Sequence, residues 1–112
     1  MNERGLVARA DANYFDSMRS FAAQMYTGFL DGEPVATSAL FMSNHVAGVY
    51  NVATLNAYRR RGFGEAMTWH AVREGAAAGC GMASLQASEM GRPIYERMGF
   101  RLVAGYKTYL RM

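Results

Sequence analysis

The sequence predicts a single α/β domain with a mixed β-sheet, covering residues 1–112. Two observations lead to this fold class. Three runs rich in β-branched and aromatic residues, at 25–30, 34–42 and 45–54, are separated by short turn signals, which predicts an antiparallel meander. From residue 65 onward, helical segments that end in glycine alternate with short apolar runs, which predicts a β-α-β-α-β order after the meander.

The first half of the chain is predicted to form one helix and the meander. A helix is predicted over residues 11–23, because apolar residues recur there at three- and four-residue spacing: Tyr14, Phe15, Met18, Phe21 and Ala22. Asp11 can cap this helix. The dipeptide Asp31-Gly32 is typical of a two-residue hairpin, and Ser43-Asn44 marks the second turn. Three strands follow one another in this arrangement.

The second half alternates helices and strands. A proline-free helix is predicted over residues 65–78, and Gly79 ends it as a left-handed cap. Residues 82–87 form a short buried strand. Pro93 suits the first turn of a second helix that runs to Gly99. The chain then ends in one or two further strands, at 100–103 and 106–111.

Composition favours a compact globular protein and disfavours several other classes. Of the 112 residues, 51% are hydrophobic and only 19% are charged, so a core can form and a disordered chain is not expected. The formal net charge is +3, but the basic residues form no long stripe with interleaved aromatics, so no nucleic-acid partner is expected. The densest basic run, residues 59–61, is compatible with a solvated turn or with a local anion site.

Cys80 is the only cysteine, so the chain forms neither an intrachain disulfide nor a cysteine-based metal cluster. We expect it to be a small buried hydrophobic residue rather than a nucleophile, because no histidine stands in a partnering motif. The N-terminus has no apolar signal core, and no stretch approaches the roughly 20 apolar residues of a membrane span. The expected location is the reducing cytoplasm, with no membrane partner.

Residues 51–65, NVATLNAYRRRGFGE, carry the strongest functional signal. A strand ends near Thr54, three arginines follow, and Gly62 and Gly64 open the long helix. Glycine lets the backbone turn sharply and approach a ligand closely. The first N–H groups of a helix point outward at the positive end of its dipole, which favours a pyrophosphate. The alternative is a tight turn with incidental arginines. The motifs of P-loop and dinucleotide-binding proteins are both absent from the sequence.

Two motifs lie one helix and one strand apart. Arg59-x-x-Gly62-x-Gly64 precedes the long helix, and residues 95–100, YERMGF, end the second helix. Together they resemble the pyrophosphate loop and the second signature of the GNAT superfamily of N-acetyltransferases. The resemblance covers about residues 25–111, and neither motif alone would be specific.

The resemblance implies an acetyl-CoA site without a metal. The pantetheine arm would bond to the strand backbone at Val52, Ala53 and Thr54, where the fourth and fifth strands of the family splay apart. The pyrophosphate would lie in the loop of Arg60, Arg61, Gly62, Phe63, Gly64 and Glu65. Tyr95 matches the tyrosine that acts as general acid toward the leaving thiolate. The alternative for Tyr95 is a core aromatic on a short helix.

The chain departs from the family near the acceptor. Ser88 stands where members often have asparagine, and Ala83 stands where some carry a glutamate base. No general base is assigned; Glu89, His45 and His70 are candidates by chemistry only. A base is unnecessary if the amine arrives neutral.

Family members usually begin with a strand and two helices, whereas this chain is predicted to supply at most one helix before its first hairpin. It resembles a shortened member, or the C-terminal half of a longer one, that lacks the usual first strand and part of the N-terminal helices. An uncovered sheet edge then favours a homodimer.

The leading interpretation is an N-acetyltransferase that moves an acetyl group from acetyl-CoA to a primary amine by direct attack. The alternative is a non-catalytic acyl-CoA-binding or assembly module, because the acceptor wall and the glutamate base are missing. A third interpretation, a small basic nucleic-acid binder, predicts a steep salt dependence of DNA binding.

Overall fold

A computed structural model of the chain describes residues 5–15, 22–88, 91–104 and 107–112. These residues form two α-helices, one 3-10 turn and a mixed sheet, which confirms the predicted fold class. The elements are β1 (Leu6–Phe15), β2 (Ala22–Leu30), β3 (Glu33–Ser43), β4 (Val46–Thr54), the 3-10 turn (Asn56–Tyr58), α1 (Phe63–Ala77), β5 (Met82–Gln86), α2 (Arg92–Met98), β6 (Arg101–Ala104) and β7 (Lys107–Arg111). Within the described ranges the sheet has seven strands in the order β1-β2-β3-β4-β5-β7-β6.

The N-terminal segment corrects the helix predicted over residues 11–23. Residues 11–15 belong to strand β1, which pairs antiparallel with β2 from Leu6↔Leu30 to Phe15↔Ala22; residues 16–21 lie outside the described part. The sheet therefore has a strand ahead of the predicted meander, where a first strand was expected to be missing. A short helix is marginal on its own, and here the open edge of β2 offers a hydrogen-bonded ladder that outweighs the helical spacing.

Helix α1 packs across β3 and β4 and covers the centre of the sheet. Its inward face carries Met67 and Ala71, each 0% exposed. Gly75 makes the approach possible, because a Cβ at that position would lie 2.5 Å from the Cβ of Ala47 on β4. The glycine that weakens the helix as a local sequence is thus required by its contact with the sheet.

Strands β4 and β5 part from each other along their length. They pair in parallel at only three positions, Val46↔Met82, Ala47↔Ala83 and Gly48↔Ser84. Strand β4 continues to Thr54 without a β5 partner, and a shift of its register against β3 between Thr37 and Ala39 marks a bulge near its end. The sheet is consequently open between the two strands on the side that leads to the glycine turn.

Helix α2 lies beyond the end of β5 and is held by its last turn. Gly99 takes the left-handed conformation, with φ 108°, and caps the helix as predicted. Met98 and Phe100 on either side of it are buried in the common core. This anchoring directs the middle of the helix toward the opening between β4 and β5. None of the described helices is long and apolar enough to cross a membrane.

Candidate acyl-transfer site

The glycine turn forms the N-terminus of α1. Gly62 has a left-handed backbone (φ 82°, ψ 11°), and no side chain caps the helix there. The first helical hydrogen bond is donated by Ala66 to the carbonyl of Gly62 at 3.0 Å. The N–H groups of residues 63, 64 and 65 precede that bond, so they face outward at the positive end of the helix dipole. The turn can therefore bind an anion with backbone donors.

A depression of about 370 Å³ lies in front of this turn. Besides α1, it is lined by the loop after β4, through Arg59 and Arg60, and by α2, through Ile94 and Arg97. Arg59 is held in place because its Nε donates to the carbonyl of Thr54 at 3.2 Å. The remaining lining residues are Thr54, Tyr58, Gly62, Phe63, Gly64 and Glu65. We call this depression the arginine pocket.

Arg61 takes a different position from its two neighbours. Its guanidinium lies over the rings of Tyr58 and Phe63, at 5.6 and 5.3 Å from their centroids. Such stacking fixes the side chain against the turn. Arg61 is not among the residues that line the arginine pocket.

A second depression, of about 380 Å³, lies in the opening between β4 and β5. It is lined by uncharged residues from both strands, from the segment after β5 and from α2: Val49, Tyr50, Val52, Leu85, Gln86, Ser88 and Tyr95. We call it the strand cleft. Val52 borders the strand cleft and Thr54 borders the arginine pocket, so the two depressions lie two residues apart along β4, or about 7 Å. Ala53, between them, borders a small apolar hollow with Thr27 instead.

Tyr95 projects from α2 into the wall of the strand cleft. It is half-buried, with its ring packed edge-on against Phe100 at 6.0 Å. Gly91 allows this position, because a Cβ there would approach the Tyr95 ring to 3.0 Å. Burial raises the pKa of the Tyr95 phenol, and a hydrogen bond with Thr68 acts in the opposite direction with a smaller effect. The phenol is therefore protonated at neutral pH and can donate a proton.

The candidate bases are not brought to the cleft by the described structure. His45 lies in the exposed turn before β4, at the end of the strand opposite Thr54. His70 packs edge-on against Tyr26 at 4.6 Å, and burial lowers its pKa. Neither histidine lines the strand cleft. Glu89 lies outside the described residues.

Cys80 is a free, buried thiol whose pKa is raised by burial, which confirms the prediction of a small core residue. Within the described ranges, no group of His, Cys, Asp and Glu side chains is arranged to hold a metal ion.

Three side chains at the site escaped the interpretation of the sequence. Arg97 lines the arginine pocket, but the sequence interpretation gave it no role; a basic residue inside the YERMGF segment was the available signal. Thr68 is a polar residue on the buried face of α1, a pattern that hydrophobic periodicity alone passes over. Tyr50, 44% exposed beside the cleft, carries no distinguishing signal in its strand.

Comparisons with known proteins concern the domain as a whole. The sequence profile of the acetyltransferase (GNAT) domain matches residues 4–106. No protein of curated function matches the chain significantly.

Solved acetyltransferase structures share the fold. A Bacillus subtilis acetyltransferase in complex with CoA has a TM-score of 0.72 at 15% identity, over 80% of this chain and 77% of that one. A putative streptothricin acetyltransferase of Bacillus anthracis, in complex with acetyl coenzyme A, has a TM-score of 0.72 at 16% identity, over 80% and 62%. The ribosomal-protein-S18-alanine N-acetyltransferase of Escherichia coli has a TM-score of 0.69 at 20% identity, over 82% and 69%. At these identities the likeness concerns the fold alone.

Proposed function

Because this chain belongs to the acetyltransferase (GNAT) family, we propose that it transfers an acetyl group from acetyl-CoA to a primary amine. One observation carries the proposal: the arginine pocket and the strand cleft lie side by side along β4, with Tyr95 in the cleft wall. An anion site next to an uncharged, open strand suits a ligand with a pyrophosphate at one end and a thioester at the other.

The cofactor end of the ligand would lie on α1. The N–H groups of Phe63, Gly64 and Glu65 would donate to the pyrophosphate, with Arg60 supplying charge beside them. Gly62 sets the turn, and Arg61 supports it by stacking on Tyr58 and Phe63. Arg97 approaches from α2 and adds a second source of positive charge. The fit rests on backbone donors that a helix already provides.

The thioester end would extend along β4. Beyond Gly48 the strand has no β5 ladder partner, so its outward backbone groups at Val52, Ala53 and Thr54 can bond to the amides of a pantetheine arm. The bulge near Val52 turns backbone groups out of the ladder. Such N–H donors, held rigidly in a partly dry cleft, can stabilise the oxygen of a tetrahedral intermediate.

The amine would attack the thioester carbon directly. As the carbon–sulfur bond breaks, the sulfur takes the Tyr95 proton, the amine nitrogen releases one proton to solvent, and Tyr95 regains a proton from solvent. The raised pKa of Tyr95 keeps the phenol protonated until that step. Since neither described histidine lines the cleft, the proposal has the amine arrive neutral.

A second candidate, a non-catalytic acyl-CoA-binding or assembly module, is favoured by the lack of a base in the described lining of the strand cleft. The lining residues are uncharged and include neither described histidine. Turnover with a panel of small amines and peptide N-termini distinguishes the candidates: release of free CoA thiol supports catalysis, and tight CoA binding without release supports the module.

We also propose that the chain acts in the cytoplasm as a homodimer. Its cysteine is a free thiol, as reducing compartments maintain. Strand β6 forms one edge of the sheet, and its Leu102 and Val103 are 45% and 66% exposed. An apolar strand at an open edge is a surface that a second copy can pair with.

Tyr95→Phe tests the chemical proposal. The ring and its contact with Phe100 are retained while the proton donor is lost, so kcat is expected to fall on the order of 10²-fold. The Kd for CoA, measured by calorimetry, should stay within about three-fold because hydroxyl loss leaves the arginine pocket intact. Tyr109→Phe is the matched control, since Tyr109 on β7 lines neither depression. Normal turnover of Tyr95→Phe would make Tyr95 a core aromatic only.

A further inference from the structure

The strand cleft reaches both faces of the sheet. Side chains of a strand alternate between its two faces, and Ala47 of β4 lies on the face toward α1, because a Cβ on Gly75 of that helix would touch its side chain. Val49, two residues further on, shares the α1 face, whereas Tyr50 lies on the opposite one. Both residues line the cleft. A ligand can accordingly enter the cleft from either side of the sheet.

The cofactor would take the side of α1. The arginine pocket is formed by α1, α2 and the loop between β4 and α1, and Tyr95 borders the cleft from α2. In the proposed function these elements hold acetyl-CoA, so the face that carries Tyr50 is left for the approach of the amine. An acceptor on that face meets Tyr50 before it reaches the thioester.

The Tyr50 ring is held on two sides and is still open to solvent. It packs edge-on against Phe41, with the ring centroids 5.3 Å apart and an interplanar angle of 85°. It also lies back over Gly48, where a Cβ would come within 2.7 Å of the Tyr50 Cε2 and 3.3 Å of its phenol oxygen. Gly48 belongs to the last pair of β4 with β5, so the ring lies where the two strands begin to separate. Since the side chain is 44% exposed, it forms a fixed aromatic surface at the mouth of the cleft.

The described lining of the cleft determines which amine suits this surface. It contains no charged side chain, and Val52 and Leu85 add apolar surface. A polyamine or a lysine-rich peptide carries further ammonium groups, which such a lining leaves unpaired. A monoamine with an aromatic body instead stacks on Tyr50. Uncharged surroundings also favour the neutral form of its amine, which is the form that attacks the thioester.

We propose that Tyr50 binds the acceptor, and that the acceptor is a primary monoamine whose aromatic body stacks on the Tyr50 ring and directs its nitrogen into the strand cleft. This role rests on the proposed function, since the bonds made and broken are those of the acetyl transfer described above. Tyr50 neither gives nor takes a proton, and it contacts the body of the acceptor rather than its nitrogen. Loss of the ring is therefore expected to weaken acceptor binding and to leave the chemical step intact.

Kinetics with benzylamine and spermidine test this role. The kcat/KM of the unmodified chain for benzylamine should exceed that for spermidine by about ten-fold or more, because the cleft leaves the extra ammonium groups unpaired. Tyr50→Ala should raise the KM for benzylamine about ten-fold, as expected for one lost aromatic contact together with its buried area. The kcat of this variant should stay within about three-fold, because the reacting atoms are not touched. Tyr50→Phe retains the ring and should keep the KM within about two-fold.

Tyr109→Ala is the matched control. Tyr109 on β7 pairs with Ser84, which is also the partner of Gly48, so it lies on the same face of the sheet as Tyr50. It lines neither the strand cleft nor the arginine pocket, and its replacement should change the KM for benzylamine less than about two-fold. If Tyr50→Ala does not fold, Tyr50→Leu replaces it, since leucine keeps apolar bulk and lacks the aromatic plane.

Calorimetric titration of the CoA complex with benzylamine gives a readout without turnover. Benzylamine should bind to the complex of the unmodified chain and about ten-fold more weakly to that of Tyr50→Ala. If Tyr95→Phe slows turnover while Tyr50→Ala changes neither the KM nor the affinity for benzylamine, or if spermidine is the better substrate, the role of Tyr50 is refuted and the proposed function stands. If no amine releases the CoA thiol, the proposed function fails, and equal benzylamine affinity of the two CoA complexes would refute the Tyr50 site as well.

Discussion

Replacement of Gly62 by valine separates the ligand role of the glycine turn from its structural role. Gly62 has φ 82°, and an L-residue in that left-handed region costs about 1–2 kcal/mol, more when it is β-branched. Unfolding in urea should therefore show a loss of roughly 2 kcal/mol. A domain of this size is typically stable by about 5–15 kcal/mol, so Gly62→Val is expected to fold.

The expected effect on the ligand is larger. The valine side chain stands at the N-terminus of α1 and obstructs anion approach to N–H groups that follow it. A charge-assisted hydrogen bond contributes about 1.5–3 kcal/mol, so loss of one such bond weakens CoA binding about ten- to a hundred-fold. Isothermal calorimetry on protein with native circular dichroism measures this change.

Gly79→Val is the matched control for backbone strain. Gly79 also has a left-handed backbone, with φ 99°, and a Cβ there meets nothing within 4 Å. It follows the C-terminal end of α1, so it should lose stability to a similar extent while binding CoA normally. Equal CoA affinity of Gly62→Val and the unmodified chain would refute the assignment of the turn. A parallel loss in Gly79→Val would show that strain alone weakens binding.

Three further outcomes are expected. Arg97→Gln should raise the Kd for CoA about three- to ten-fold in low salt, and less in high salt. Arg61→Gln should change this Kd less than about two-fold, because the Arg61 guanidinium is stacked on aromatic rings. Similar CoA affinities of the two variants would contradict this assignment. Gly75→Ala should destabilise the fold by about 1–3 kcal/mol through its clash with Ala47; stabilisation, as helix propensity alone predicts, would disprove the close approach. Light scattering at micromolar concentration should give a dimer, and a charge introduced by Val103→Lys should dissociate it; a monomeric unmodified chain would refute the edge-pairing proposal.

Local sequence was a good guide where one residue type satisfies one backbone requirement. Gly62, Gly79 and Gly99 all have positive φ values, and each lies at a predicted helix boundary. The turn dipeptide at residues 31–32 likewise joins two paired strands, β2 and β3. The sequence predicts such positions because the cost of a positive φ depends on the residue type at that position and not on distant parts of the chain.

The N-terminal segment shows where local reading fails. Residues 11–15 open a run whose apolar side chains have helical spacing, yet they form the end of β1 against β2. The partner strand begins beyond them in sequence, and the free energy of the ladder depends on that partner. A pattern of five to ten residues does not include the free energy of pairing with a neighbouring strand. The helical period was therefore favoured over a strand, and this prediction was wrong.

The order of elements after residue 25 was predictable from the amino-acid sequence alone, and so were the glycine turn with its arginines and the tyrosine of the second motif. Tertiary contacts were needed to show that β4 and β5 separate after three paired positions, that Arg97 rather than Arg61 lines the arginine pocket, and that Tyr95 borders the strand cleft. The first group follows from backbone requirements of single residues and short motifs. The second depends on contacts between segments distant in sequence, whose distances are set only when α1 and α2 pack against the sheet.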